Sequence, residues 1–321
     1  MHLRLASLSI LLLSLFSCSD SEEEFNISQE ANGFLNEVLT IMENNSINRD
    51  KINWGDFRNQ VFEGARDAQS IEETYRAIQL ALTLLGDNHS SLIKQDGSSI
   101  WGTSGIRCRG EGFNPPSLPD NIGYIAIDIS SDRDSEANIA LAEDMQTLIK
   151  AKDNENIIGW IVDLRDSGGG NMWPTLAGIG PILGEGIAGY FIDPDNLQSS
   201  WGYSNGASVS RQNPIVTVSS PYELINPNPK VAVLLDKGIA SSGEAIAIAF
   251  IGRENTKSFG SPTCGLSTAN RRFSLSNTAT LNLTVSYMAD RNKQQYGIPI
   301  NPDVESGNET IIQQAIDFIE N

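Results

Sequence analysis

The chain has 321 residues, of which 40% are hydrophobic, enough for one large domain or a large domain with a small partner. Lysine and arginine total 22 against 40 aspartate and glutamate residues, and the formal net charge is −18. This acidity and the absence of any basic stripe in the sequence argue against a nucleic-acid partner and against electrostatic binding to an anionic membrane surface.

The N-terminus has the features of an export signal. Arg4 gives a positive start, and residues 5–16 form an apolar run shorter than the about 20 residues that span a bilayer. The pattern resembles a bacterial lipoprotein signal in which residues 1–17 are removed and Cys18 is lipidated; an ordinary cleaved signal with an incidental cysteine is the alternative. Residues 18–27 are predicted to form a flexible acidic tether, which resembles the surface-export signal of Bacteroidetes lipoproteins. We expect a cell-envelope lipoprotein on the outer membrane, with surface exposure left open.

Residues 28–90 are predicted to form a small helical domain. Ser70 and Glu73 match a capping box, apolar residues follow at helical spacing, and Gly86 ends the helix. His89 comes next, on a loop. The chain has two histidines, and the other lies in the segment expected to be removed, so any catalytic histidine must be His89.

Residues 91–321 are predicted to form a layered α/β core, because apolar strands and amphipathic helices alternate along them. A loop-rich stretch up to residue 120 comes first. The predicted elements are a strand at 122–129, a helix at 135–150, a buried strand at 157–164, a helix at 172–183, a strand at 230–236, a helix at 245–251, a strand at 278–286 and a helix at 308–319. Residues 193–229 are polar and rich in Ser, Asn and Pro, and are predicted to form a long surface excursion.

Ser241 stands between the buried strand at 230–236 and the buried helix at 245–251. Free backbone N–H groups and the positive end of a helix dipole converge at such a turn. This environment suits a nucleophile whose product is an oxyanion, although a serine here is more often a helix cap. The run from Gly168 to Gly170 also follows a buried strand and offers further N–H donors, or simply a tight turn.

Four ordered motifs resemble those of the carboxyl-terminal processing (tail-specific) serine peptidases, over roughly residues 85–305. The motifs are Asp163-Leu-Arg-Asp-Ser-Gly-Gly-Gly170, Ile239-Ala-Ser-Ser-Gly-Glu244, Gly260-Ser-Pro-Thr-Cys-Gly265 and Gly297-Ile-Pro-Ile-Asn-Pro-Asp303. The resemblance implies a crotonase/ClpP-like layered core and hydrolysis of peptide bonds in peptides or unfolded proteins. It also implies that Ser241 is the nucleophile and that the amides of Ser242 and of Gly168 or Gly169 form the oxyanion hole.

The sequence departs from this family pattern in two ways. The lysine that commonly acts as base is replaced by Leu266, which cannot take a proton. The motif Asp87-Asn-His89 resembles that of the tricorn-like branch, which uses a histidine, and this makes His89 the expected base. Roughly 32 residues separate His89 from the strand at 122–129, too few for the peptide-binding PDZ domain that relatives often carry.

The acid that would orient His89 is predicted to be Asp290, with Asp303 as the second choice. Asp87 lies two residues from the histidine and is predicted to cap the loop instead. Lys237 is a further candidate for a replacement base, provided that burial lowers its pKa strongly.

No metal or cofactor is expected, because one mature histidine and no ligand-spaced cluster leave nothing to build a zinc site from. Cys108 and Cys264 could pair, since an exported protein permits a disulfide. Two other functions remain open: a non-catalytic binding protein for hydrophobic ligands or peptide tails on the same scaffold, and an acyl-CoA enzyme. The absence of a cluster of basic residues for CoA phosphates counts against the second.

Overall fold

The structure is a computed structural model that describes residues 26–103, 106–112, 116–129, 131 and 134–321. The predicted signal segment 1–17, the lipidation site Cys18 and most of the tether lie outside these residues. In chain order, the described helices are α1 (Gln29–Asn45), α2 (Trp54–Glu63), α3 (Ile71–Leu85), α4 (Ser135–Lys152), α5 (Met172–Gly178), α6 (Gly180–Leu183), α7 (Ser242–Phe250) and α8 (Ile311–Glu320).

The described strands fall into two sheets. In chain order, they are β1 (Ser91–Ile93), β2 (Ser99–Trp101), β3 (Ile122–Ala126), β4 (Gly159–Asp163), β5 (Gly186–Ile192), β6 (Gln198–Ser204), β7 (Ala207–Ser210), β8 (Asn213–Thr217), β9 (Lys230–Leu235), β10 (Thr256–Gly260), β11 (Thr268–Ser274), β12 (Thr280–Asp290) and β13 (Val304–Glu305). The predicted mixed α/β fold with an N-terminal helical region is confirmed.

The first sheet is parallel, with the strand order β13-β10-β9-β4-β3. Its central strand β9 alternates: Val231 and Val233 pack on the side that carries α7, whereas Leu234 packs on the side that carries α8. Burial of both faces explains why β4 and β9 are continuous apolar runs in the sequence. Because α7 lies between this sheet and the second one, all nine of its residues are buried.

The second sheet is antiparallel, with the order β2-β1-β12-β5-β6-β7-β8, and β11 pairs with β12. Strands β6, β7 and β8 lie within the segment 193–229 that the sequence predicts as a surface excursion, and this prediction is wrong for residues 198–217. These strands are short hairpins with many polar side chains, while Trp201 and Tyr203 anchor them in the core. The predicted helix at 172–183 is divided into α5 and α6, because Pro181 stands in the first turn of α6 and lacks an N–H.

The N-terminal helices pack on the antiparallel sheet. Ser70 accepts a hydrogen bond from the N–H of Glu73 at 3.4 Å, and Gly86 ends α3 with a φ of 69°. Both features confirm the predicted caps. Leu85 at the end of α3 and Leu281 on β12 belong to one buried cluster. This packing, and the pairing of β1 with β12, hold the loop between α3 and β1 against the sheet.

Among the residues that the structure describes, no helix is both long and apolar enough to cross a membrane.

Candidate active site

Ser241 occupies a sharp turn between the parallel sheet and α7. It is the residue immediately before α7, and its backbone has a φ of 52° and a ψ of −114°. A positive φ is uncommon for a residue with a side chain, and such strain persists only where the surroundings enforce it. The turn makes Ser241 part of the wall of a cleft of about 1470 Å³.

Glu244 holds this turn in place. The N–H of Ser241 donates to one carboxylate oxygen of Glu244 at 3.0 Å. The other oxygen accepts from the hydroxyl of Thr263 at 2.6 Å and from the N–H of Gly265 at 2.8 Å. Burial raises the pKa of the Glu244 carboxyl, and these hydrogen bonds oppose the rise. Glu244 therefore ties the serine turn to the segment that follows β10.

The glycine turn after β4 lies directly against Ser241. A Cβ atom added to Gly169 would lie 3.1 Å from the Cβ of Ser241. The hydroxyl of Ser242 donates to the carbonyl of Gly170 at 2.7 Å, and the N–H of Gly243 donates to the carbonyl of Gly168 at 3.2 Å. These bonds join the two turns, so the sequence motifs that carry them are brought together as predicted.

Free amide groups converge beside Ser241. Ser242 is the first residue of α7, so its N–H has no acceptor within the helix. Within the described part of the chain, the N–H groups of Ser242, Gly168 and Gly169 donate no hydrogen bond. Free N–H donors at a helix N-terminus stabilise a negative oxygen.

His89 is buried at the edge of the same cleft. One oxygen of Asp87 accepts from the N–H of His89 and from the N–H of Ser90, both at 2.8 Å, which confirms that Asp87 caps this loop. The side-chain amide of Asn270 donates to the carbonyl of His89 at 3.1 Å. These bonds fix the backbone of His89 relative to β11.

The imidazole of His89 has a hydroxyl partner rather than an acid. Its Nδ1 lies 2.8 Å from Oγ1 of Thr268, at the start of β11. Burial lowers the pKa of His89 to about 4, although the nearby Asp87 carboxylate opposes this shift. No hydrogen bond joins His89 to Ser241 among the described residues, although both side chains belong to the lining of one cleft.

Neither of the predicted acids contacts His89. The carboxylate of Asp290 accepts from the N–H of Asn292 at 2.8 Å and from the hydroxyl of Tyr296 at 3.1 Å. The Asp290 carboxylate closes the turn that follows β12. The sequence does not reveal that this turn begins at Asp290. Asp303 accepts from the N–H of Ser258 at 2.7 Å, beside β10. The expectation that Asp290 contacts His89 is therefore corrected: the side chain beside Nδ1 of His89 is that of Thr268.

Lys237 and Leu266 are the other two positions at which a lysine base is considered. Lys237 is exposed, so it lacks the burial that a lysine base requires. Leu266, at the position where relatives carry a lysine, lines the cleft. Of the candidate bases His89 and Lys237, His89 is the one that lines the cleft with Ser241.

Cys108 and Cys264 form a disulfide, with a Cα–Cα distance of 5.2 Å. Cys264 also donates its N–H to the carbonyl of Ile239, two residues before Ser241, at 2.9 Å. The bridge thus joins the segment 106–112 to the serine turn. Among the described residues, no group of three or more His, Cys, Asp or Glu side chains could hold a metal ion.

Sequence reasoning misses two residues of this site. Thr268 carries no signal, because threonine is common in strands and lies 179 residues from His89. Glu244 does carry one: an acid three residues after a serine at a helix start matches a capping box.

Comparison with known proteins agrees with the fold and the motifs. The family model for peptidase family S41 matches residues 121–306, more than half of the chain. The nisin-resistance protein of Lactococcus lactis is 28% identical over 266 residues, which cover 81% of this chain and 78% of that protein. The structure of a lipoprotein from Streptococcus agalactiae superposes with a TM-score of 0.72, at 22% identity, covering 98% of this chain and 99% of the other.

The photosystem II D1 C-terminal processing protease has the same fold. It superposes with a TM-score of 0.57 at 14% identity, covering 87% of this chain and 94% of the other. The predicted resemblance to carboxyl-terminal processing peptidases is confirmed, and this chain belongs to peptidase family S41.

Proposed function

We propose that the protein is a serine peptidase that hydrolyses peptide bonds through an acyl-enzyme on Ser241, with His89 as the base. One observation carries the proposal: a strained serine and a buried, uncharged histidine line one cleft beside free backbone amides. Acyl transfer needs an attacking group, a base and donors for the developing oxyanion, and each has a candidate here.

Thr268 defines how His89 serves as the base. When its hydroxyl oxygen accepts the proton of Nδ1–H, the imidazole is held in the tautomer that leaves Nε2 free to accept a proton. A carboxylate in this place would also stabilise the imidazolium, and a hydroxyl does so more weakly. The low pKa of His89 keeps the imidazole neutral at every pH above about 4.

The reaction then proceeds in two halves. Ser241 Oγ forms a bond to the peptide carbonyl carbon as its proton passes to His89, and the amides of Ser242 and Gly168 or Gly169 bind the oxyanion. The C–N bond breaks when His89 returns the proton to the leaving amine. Water then gives a proton to His89 as its oxygen bonds to the acyl carbon. The bond from that carbon to Ser241 Oγ breaks, and His89 passes the proton to Oγ, which releases the acid and restores Ser241.

The substrate class is a peptide or an unfolded protein segment. A cleft of about 1470 Å³ that is open at the surface accommodates an extended chain better than a folded domain. A curated relative is a nisin-resistance protein, so a peptide antibiotic is one candidate within this class.

We also propose that the protein is held at the cell envelope by a lipid on Cys18, on the outer membrane and with its site accessible from outside. The disulfide between Cys108 and Cys264 supports an exported location, because such bonds persist in oxidising compartments. Metabolic labelling with a palmitate analogue, compared between the wild type and Cys18→Ala, tests the anchor.

Peptide cleavage tests the enzymatic proposal. Wild-type protein and the Ser241→Ala variant are incubated with a library of synthetic peptides, and products are identified by mass spectrometry. Products that depend on Ser241 support the peptidase. If the wild type yields none while both proteins bind peptides or hydrophobic ligands, the non-catalytic binding protein is the better description.

A further inference from the structure

Strand β11 is an open edge of the antiparallel sheet and borders the cleft. It pairs with β12 on one side, and no other described strand pairs with it. Five consecutive residues, 268–272, line the cleft. Residues of β12 and β5 also line it, so the cleft extends over the face of the sheet as well as along β11. Strand β11, with one edge that no described strand pairs, therefore borders the space in which Ser241 lies.

A free strand edge offers a row of N–H and C=O groups to a partner. An extended peptide satisfies them by adding as one more strand, which supplies affinity through the main chain without regard to sequence. The first residue of β11 is Thr268, the partner of His89. A peptide paired along this edge would therefore reach the catalytic histidine at one end of the pairing.

The charge of the cleft differs in sign from that of the whole protein. Its described lining carries four arginines and two aspartates, in a chain with a formal net charge of −18. Arg49 is paired with Asp195 at 2.5 Å. The other three, Arg211, Arg271 and Arg272, have no carboxylate partner among the residues that the structure describes.

The surroundings of Arg211 and Arg271 leave their charges available to a ligand, and Arg272 is exposed. Arg211 donates to the hydroxyl of Ser199 at 2.6 Å. Arg271 donates to the side chain of Asn45, and its guanidinium lies 4.5 Å from the ring centre of Phe273. These partners are neutral, so the guanidinium charges of Arg211 and Arg271 are not neutralised. Arginine is well suited to bind a carboxylate through two parallel hydrogen bonds.

We propose that β11 is the substrate-docking strand: an extended peptide adds to its free edge, and Arg271 or Arg272, which lie on opposite faces of the strand, binds a carboxylate of that peptide. The inference rests on the proposed peptidase function and adds to it a substrate preference. The carboxylate is either the C-terminus of the peptide or an acidic side chain, and both present the same chemistry to the arginines.

Matched peptides test the carboxylate. Peptides of about ten residues can pair along the seven residues of β11. Each cleaved sequence is prepared with a free and with an amidated C-terminus. In a second series, its Glu and Asp residues are replaced by Gln and Asn. We expect kcat/KM to fall at least about tenfold when the relevant carboxylate is removed, as for loss of a charge-assisted hydrogen bond. A fall on amidation identifies the C-terminal carboxylate as the bound group, and a fall in the Gln and Asn series identifies an acidic side chain.

Variants of the protein test the arginines. The double variant Arg271→Gln with Arg272→Gln is expected to cleave acidic and neutralised peptides equally. The control, Lys150→Gln with Lys152→Gln, removes two positive charges from α4, outside the cleft lining, and should keep the wild-type preference. Equal cleavage of all peptides by the wild type, or an unchanged preference in the arginine variant, would overturn the carboxylate site.

A scan of N-methylated peptides tests the pairing with β11. N-methylation removes one backbone donor at a time, and only alternate residues of an added strand bond to the edge. Binding to Ser241→Ala should fall at every second position on one side of the scissile bond. A flat scan would overturn strand addition. Wild-type protein that labels with a fluorophosphonate but gives a flat scan refutes only this inference, whereas protein that never labels refutes the peptidase proposal.

Discussion

The hydroxyl of Thr268 lies 2.8 Å from Nδ1 of His89, in the place where a serine peptidase with a triad has a carboxylate. The two residues are 179 positions apart and meet because β11 and the loop before β1 both lie along β12. The imidazole of the proposed base is thus held by a neutral group. Among the described residues, no carboxylate bonds to the imidazole, and the charge of Asp87 only partly offsets burial, which agrees with the lowered pKa.

Removal of the Thr268 hydroxyl should weaken the base without unfolding the protein. We expect Thr268→Val, which keeps the shape of the side chain, to reduce the rate of fluorophosphonate labelling by about tenfold, as for one lost hydrogen bond to a catalytic group. Thr268→Ser keeps the hydroxyl and should restore most of the rate. Equal rates for the valine and serine variants would show that the hydroxyl has no positioning role.

The labelling rate should depend on pH through His89. A neutral imidazole is required, and the folded pKa of about 4 lies below the ordinary value of 6.5, so the acidic limb should have its midpoint near 4. The same shift affects stability: the unfolded chain binds the proton first, so the contribution of His89 is present above pH 6.5 and is lost as the pH falls towards 4.

The His89→Gln variant provides the control for this stability effect. Its free energy of unfolding, measured by urea titration, should fall less steeply over that pH window than that of the wild type. A labelling midpoint near 6.5 in the wild type would contradict the burial of His89.

The glycine turn offers a matched pair of substitutions. A Cβ on Gly169 would press on the Cβ of Ser241 at 3.1 Å, whereas a Cβ on Gly168 would meet nothing within 4 Å. We expect Gly169→Ala to lower the labelling rate about tenfold by displacing Ser241, and Gly168→Ala to change it little. A larger loss in Gly168→Ala than in Gly169→Ala would contradict this packing.

Glu244 should matter for stability as well as for geometry. In Glu244→Gln, one carboxylate oxygen that accepts from an N–H or a hydroxyl is replaced by an amide NH2 group, which can only donate. The unmatched buried donor should cost about 1–3 kcal/mol of unfolding free energy. Thermal denaturation followed by circular dichroism measures this loss, and Glu223→Gln, at a site away from the cleft lining, serves as the control.

Local signals in the sequence predict much of the fold. The capping box at Ser70, the left-handed Gly86 and the apolar runs of β4 and β9 depend on residues close together in the chain. The strands around Trp201 could not be predicted in the same way. They are half exposed and polar, and their identity as strands comes from pairing with neighbours in the sheet.

The sequence predicts some residues of the candidate site and not others. Ser241 and the glycine turn stand in motifs with recognisable spacing, and His89 follows from the scarcity of histidine. The partner of His89 depends on which strand lies beside it, and neither spacing nor composition carries that information. This is why Asp290 is an incorrect expectation, although it is a buried acid at the end of the neighbouring strand.

Labelling by a fluorophosphonate probe tests the central claim most directly, because such probes react with serines that a base activates. The protein without residues 1–17 is compared with Ser241→Ala, His89→Ala and Lys237→Ala. We expect labelling of the wild type and of Lys237→Ala, and its loss in Ser241→Ala and in His89→Ala. Wild-type protein that stays unlabelled between about pH 5 and 9, or labelling that persists in Ser241→Ala, would contradict an activated Ser241.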